Sequence, residues 1–342
     1  MTHRPCLWLA LVLAAGILVG RCVHAPWPIW LWGSVCAVLF FFFNPRVWLV
    51  YVALFCLGAL LIYIKPQPPQ DYFLPWRTQL KSSLNNYLDA KEAGVITAMV
   101  TGDRSDMPKE LKVIFNRTGT GHIVAISGMN MAIIIAMVFF VLKLCGISRC
   151  WQCLGTIGFL FMYALLTGAS PSVMRACFMA SVILLGYAFE QEGEGLNSLG
   201  LAAFILLLIN ARNLFDIGFQ LSFAAVGAIV IMYEPLKKSL SRLPEWLAAP
   251  LALSGAAWIG TAPLQLWHFG TITPIALLAN IPIVPLADLT VALGLLLALA
   301  GLFTPVIALP IAGCLKIIFN VMIILAQWFS EVPYGYIQLY GK

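Results

Sequence analysis

Along the chain, apolar runs of membrane-crossing length alternate with short polar breaks. The runs fall at 7–20, 29–43, 47–64, 122–142, 150–167, 171–189, 196–210, 214–233, 247–267, 272–303 and 305–330. A helix needs roughly twenty apolar residues to cross hydrocarbon, so the pattern predicts an all-α polytopic membrane protein with about eleven transmembrane helices. The tenth run is too long for one plain crossing and contains Pro274, Pro282 and Pro285. Each proline removes a ladder donor, so this run is expected as a helix broken by its prolines, or as a re-entrant hairpin followed by a crossing.

The one sizeable polar stretch divides the chain into 1–64, an N-terminal three-helix membrane region, 65–121, and a second membrane region at 122–342. PQPPQ (66–70) is a stiff break. From 76 to 100, Leu80, Leu84, Tyr87, Leu88 and Ile96 recur among Lys81, Asn85, Asp89 and Lys91. That spacing predicts an amphipathic helix lying on the membrane face or capping the bundle, with direct substrate binding as the alternative. A second short helix is expected over 108–116, capped by Ser105 or Asp106.

Composition agrees with this pattern: 61% of residues are hydrophobic and 10% charged, and mean hydropathy is +0.93. The first apolar run is one of many, so no cleavable signal is needed to explain it. Nine cysteines lack disulfide-like spacing. Only Cys150 and Cys153 (CWQC) are close, and no second Cys or His pair completes a zinc site, so they read as packing and no metal or cofactor is expected. The net charge of +6 is weak evidence for nucleic acid, because basic loops set topology in any membrane protein. Lys143 and Arg149 flank one loop, and Lys237, Lys238 and Arg242 lie in another on the same side, which Arg4 and Arg46 share. That side is assigned to the cytoplasm together with the N-terminus, which makes 65–121 an external amphipathic segment.

Polar groups inside apolar runs are costly unless they face protein or water, so their positions mark function. His122 and Ser127 lie in the outer part of the fourth run; Thr167, Ser170, Ser172 and Arg175 lie at the outer junction of the fifth and sixth. Asn210, Arg212, Asp216 and Gln220 cluster at the junction of the seventh and eighth, and Gln265 and His268 end the ninth. Such gathering predicts a vestibule opening outward. Asp216, Gln220, Ala224 and Gly227 share one helical face. Gly128, Ala132 and Ala136 recur every four residues and allow close helix approach, leaving Ser127 and Asn130 on another face to line a cavity. Arg175 has three readings: snorkelling to headgroups, an intramembrane pair with Asp216, or a guanidinium held for passing phosphates, the last two being compatible. Asn280 and Asp288 flank the prolines near the expected midplane, where they either face a substrate path or cap freed backbone groups.

Several pieces now stand in one order: VTGDRSDMP (100–108), TGTGHIVAISG (118–128), TGASPSVMRA (167–176), DIGFQLSF (216–223), PLQLWHFG (263–270) and ANIPIVP (279–285). In this, from about residue 95 to the end of the tenth run, the chain resembles the competence domain of ComEC-family proteins, the inner-membrane channels for DNA uptake in natural transformation. The resemblance implies that 122–342 is a competence-type channel domain in the bacterial inner membrane. It would pass single-stranded DNA from outside to cytoplasm through a lipid bilayer without chemistry of its own. It also implies a separate nuclease, a DNA receptor and a cytoplasmic helicase as partners. Arg175, Arg212 and the basic residues Arg104, Lys109, Lys112 and Arg117 can offset phosphate charge, and Phe219, Phe223 and Trp267 can meet bases. Two departures stand out. Asn130 occupies a position where the family has histidine, and the accessory oligonucleotide-binding barrel and metallo-β-lactamase-like nuclease of larger members are not in this sequence.

Two other functions are weighed against the channel. A transporter of a small or lipid-linked anionic solute would use the same vestibule and broken helix. A serine-protease reading of Ser127 with His122 or His268 is poor, because His122 and Ser127 point to different helical faces and nothing orients either histidine; catalysis is not expected. No ATP-binding P-loop is present, so energy for translocation would come from elsewhere. A homodimer is compatible with the sequence and is not specified by it.

Overall fold

The structure, a computed structural model, describes residues 4–22, 30, 34, 47–63, 73–124, 128–190 and 194–339. Among them the fold is all-α apart from one two-residue ladder. In chain order the helices are α1 (Pro5–Cys22), α2 (Val47–Leu61), α3 (Leu74–Asn85), α4 (Ala90–Thr101), α5 (Lys109–Arg117), α6 (Gly128–Leu144) and α7 (Arg149–Leu166). They continue with α8 (Pro171–Ala188), α9 (Gly195–Ile209), α10 (Ile217–Ser239), α11 (Glu245–Phe269), α12 (Ala276–Phe303) and α13 (Pro305–Ser330). A 3₁₀ turn, Ala211–Phe215, leads into α10. Strands β1 (Thr271–Ile272) and β2 (Ile337–Gln338) pair antiparallel, with Thr271 opposite Gln338.

Among the described residues, seven helices are long and apolar enough to cross a membrane: α1, α7, α8, α10, α11, α12 and α13. Three more apolar helices are shorter, Val50–Leu61, Asn130–Leu144 and Gly195–Ile209. The all-α membrane class therefore stands, with seven of the expected crossings formed at full length among the described residues. Runs that read as spans at 47–64, 122–142 and 196–210 form helices of only 15, 17 and 15 residues. The expected span at 29–43 lies almost wholly outside the described residues.

The expected proline break is replaced by continuity: α12 runs unbroken for 28 residues with Pro282 and Pro285 inside it. Each proline deletes one donor, leaving the carbonyls of Leu278 and Ile281 without their α-helical N–H. Packing holds the turns around them, with Ala279, Ile283 and Ala287 buried. The single amphipathic helix expected over 76–100 is in fact two. A capping box joins Asp89 and Glu92, with the Asp89 N–H donating to Glu92 Oε2 at 3.3 Å, and starts a new helix there. That helix, α4, is buried at every residue from Glu92 to Thr101, so it is a core element and not a surface-lying one. The short helix expected over 108–116 forms as α5, but Pro108 and not Ser105 or Asp106 occupies its N-cap.

Two compact units divide the chain, one comprising Met1–Gln70 and Phe178–Val230, the other Asp71–Cys177 and Ile231–Lys342. In the first unit α1 is the centre. A Cβ on Gly16 would lie 1.9 Å from the Phe55 carbonyl oxygen, so only glycine lets α1 and α2 approach this closely. On its other side α1 packs on α9, around a core of Leu13, Ile17, Leu206, Leu207, Ala211 and Phe219. Arg4 pairs with Glu194, and the Cys6 N–H donates to Asn197 Oδ1 at 2.9 Å.

In the second unit α12 and α13 form a helical hairpin at Thr304, whose Oγ1 accepts from the Val306 N–H. Against α12 pack α3, α4, α6 and α11. A Cβ on Gly294 would meet Ile96 at 2.9 Å and Val100 at 3.0 Å, which places α4 directly on the α12 backbone. Tyr163 of α7 donates its hydroxyl to the Val100 carbonyl at 2.5 Å, and Lys316 of α13 reaches Asp89 and Glu92 at 3.6 and 3.7 Å. Thus α4 is held from three sides.

Candidate functional site

The first glycine cluster is a docking turn. Thr118 and Thr120 are fully buried with hydroxyl oxygens 2.6 Å apart, and Thr118 Oγ1 lies 3.1 Å from the carbonyls of Ile114 and Phe115 at the end of α5. Gly119 has φ +72°, and a Cβ there would fall 2.6 Å from the Ala276 methyl. Positive φ and contact together require glycine, and they seat the turn on Thr273 and the start of α12. Asn130, expected to line a cavity, is 1% exposed and donates to the Ile123 carbonyl at 3.4 Å. His122 is exposed, with Nδ1 3.2 Å from the Gly119 carbonyl. Ser127 lies outside the described residues.

The second cluster closes the end of α7. Gly168 has φ +81° and Ala169 φ 49°. Arg77, from α3, donates Nε–H to the Leu166 carbonyl at 3.0 Å, and a Cβ on Gly168 would sit 2.8 Å from its guanidinium. Ser170 and Ser172 are half-buried at the start of α8, and Arg175, one turn further, is 7% exposed. The structure therefore sets a second arginine beside this motif. Nothing local in the sequence pointed to Arg77, because its partner carbonyl is 89 residues away.

The remaining candidates separate by unit. In the first, Asp216 Oδ1 accepts the Phe219 N–H at 2.8 Å as the N-cap of α10, and Gln220 Nε2 donates to the Leu214 carbonyl at 2.9 Å. Asn210 Oδ1 accepts the Arg212 N–H at 3.0 Å, leaving the Arg212 side chain exposed. Phe219 and Phe223 stack with centroids 4.3 Å apart. In the second unit, Asn280 and Asp288 each carry a buried Oδ1 with no hydrogen-bond partner among the described residues. Arg175 and Asp216, weighed above as an ion pair, fall in different units.

Charge is most clearly organised outside the apolar helices. Lys81 Nζ lies 2.7 Å from Asp103 Oδ2, 2.8 Å from Asp106 Oδ2 and 3.0 Å from Ser105 Oγ. The Lys81 hydrogen bond holds the Asp103 carboxyl down at about 2, and the same contacts raise Lys81. Among the described residues no group of three or more His, Cys, Asp or Glu could hold a metal ion.

Residues 99–341 match the family described as Competence protein. The chain belongs to this family, the ComEC-type competence proteins. It is 32% identical over 215 residues to ComE operon protein 3 of Bacillus subtilis, covering 62% of this chain and 27% of that one. It is 27% identical over 235 residues to the uncharacterized protein YcaI of Escherichia coli, covering 62% and 30%. It is 24% identical over 210 residues to Recombination protein 2 of Haemophilus influenzae, covering 56% and 26%. The chain thus spans less than a third of the length of each of these three relatives. No solved structure matches it. The competence-family match takes in both glycine turns, Arg175 and all of α12, while α3 precedes it, so Arg77 reaches a family motif from outside the matched region.

Proposed function

We propose that this chain is a membrane channel that passes single-stranded DNA from outside to the cytoplasm in natural transformation, with no chemistry of its own. The observation that carries the reading is the competence-family match, which runs through both glycine turns and the α12–α13 hairpin. Apolar helices of crossing length support a place in the bacterial inner membrane, and the basic loops at 143–149 and 237–242 support a cytoplasmic N-terminus. Arg175, Ser170 and Ser172 act together at the mouth of α8, with Arg77 beside them. Asp216, Gln220 and Arg212 shape the start of α10. Asn280 and Asp288, with oxygens left open on α12, face the path of the strand. His122 belongs to the docking turn and Asn130 to the start of α6. A separate nuclease, a receptor and a cytoplasmic helicase deliver and draw in the strand.

The test is uptake of labelled DNA by cells lacking this chain and by cells carrying Arg175→Ala or Arg175→Lys. Loss of cytoplasmic label on deletion, with a stronger defect for alanine than for lysine at equal membrane abundance, is expected. Undiminished cytoplasmic label in the deletion strain overturns the reading.

A further inference from the structure

Arg175 is buried and Arg77 half-buried beside the second glycine turn, whereas the exposed cations gather on α5 and just before it. α5 is pinned by Leu111 and Phe115, each 1% exposed, and packs on α13. Its opposite face presents Lys109, Lys112, Asn116 and Arg117 to solvent over about 12 Å at 1.5 Å per residue. Arg104, also exposed, precedes it. Among the described residues none of these four cations is ion-paired. The nearest acids do not cancel them: Asp103 and Asp106 are both bound to Lys81, leaving Glu110 as the one carboxylate on the helix. The C-terminal end of this basic face runs straight into the Thr118–Gly119–Thr120 turn docked on α12.

We propose that the exposed face of α5, with Arg104, is the surface that receives the sugar–phosphate backbone of the strand. This rests on the DNA reading above. Point charges on flexible lysines, an arginine at each end and a donor amide at Asn116 suit successive phosphates, whatever the bases. The face carries no aromatic side chain, so it offers charge without base stacking. An anionic headgroup layer is disfavoured, because Lys109, Lys112 and Arg117 share their face with Glu110 and with only one exposed apolar residue, Val113. A membrane-lying helix buries a broad apolar face in lipid, and here that face is occupied by protein.

The experiment measures binding of fluorescent oligonucleotides to the full chain in nanodiscs of zwitterionic lipid, and in matched nanodiscs containing anionic lipid, across a range of salt. Wild type is compared with a Lys109→Gln, Lys112→Gln, Arg117→Gln triple variant and with Lys109→Arg, Lys112→Arg. Three lost phosphate contacts should flatten the slope of log K on log salt by roughly 2, since each contact on a single strand contributes about 0.7. The loss should be the same for pyrimidine-rich and purine-rich strands, and the arginine variant should bind like wild type. An unchanged slope in the triple variant, with wild type binding normally, overturns this surface and leaves the DNA reading standing. A deficit confined to nanodiscs containing anionic lipid overturns it in favour of a lipid contact. Absence of oligonucleotide binding by wild type overturns both.

Discussion

Single residues in this chain matter where backbone geometry and packing demand the same side chain. Gly119 combines a left-handed φ with a contact against Ala276 that admits no Cβ. Gly119→Ala should therefore destabilise the second unit by about 1–3 kcal/mol, read as a lowered unfolding temperature of the purified protein in detergent. An unchanged temperature contradicts the docking turn. Lys81 and Asp103 make a pH-dependent contribution of calculable sign. Because pairing lowers the Asp103 carboxyl from 3.8 to about 2, its stabilisation is fully present above pH 4 and is lost as pH falls from there toward 2. Lys81→Met should remove that part of the acid sensitivity, and identical acid unfolding profiles for variant and wild type contradict the contact. The glycines themselves stood out in the sequence as polar punctuation, but their partners did not. Ala276 and Arg77 lie far along the chain, and no local spacing encodes such pairings.

At the level of elements, helix existence was legible and helix role was not. Hydrophobic periodicity located α7, α8 and α13 closely, because long apolar runs leave little choice of structure. It failed at 76–100, where the apolar spacing continues through a real boundary. The capping pair Asp89 and Glu92 carried that boundary, three residues apart at the start of α4. It failed again at α12, because proline propensity was weighed without the neighbours that hold the helix. Burial on all sides predicts that amides of 92–101 exchange with solvent as slowly as those in the middle of α12. Fast exchange there, measured by mass spectrometry in nanodiscs, would return α4 to the membrane surface. Continuity of α12 predicts that Pro285→Ala restores a backbone donor without harming the fold, leaving the unfolding temperature equal or higher. A marked drop would indicate that the proline shapes a break after all.

For the molecule as a whole, the family was legible because six separated motifs stood in one order, and a match over 99–341 bears this out. The candidate site was legible only in part. Sequence grouped Arg175, Asp216 and Gln220 by depth in the membrane, whereas the structure gives Asp216 and Gln220 local backbone partners and sets Arg77 beside the Arg175 motif. Depth is a coordinate that hydropathy can give; side-chain partnership is not. We propose that this chain itself conducts single-stranded DNA. Conduction is tested most directly by reconstituting the purified protein in lipid vesicles and measuring nuclease-protected, fluorescently labelled single strand in the lumen. Protected strand that accumulates with wild type, and falls severalfold with the Lys109, Lys112, Arg117 triple variant, is the expected result. No protected strand, in vesicles that take up a small anionic solute saturably, contradicts it.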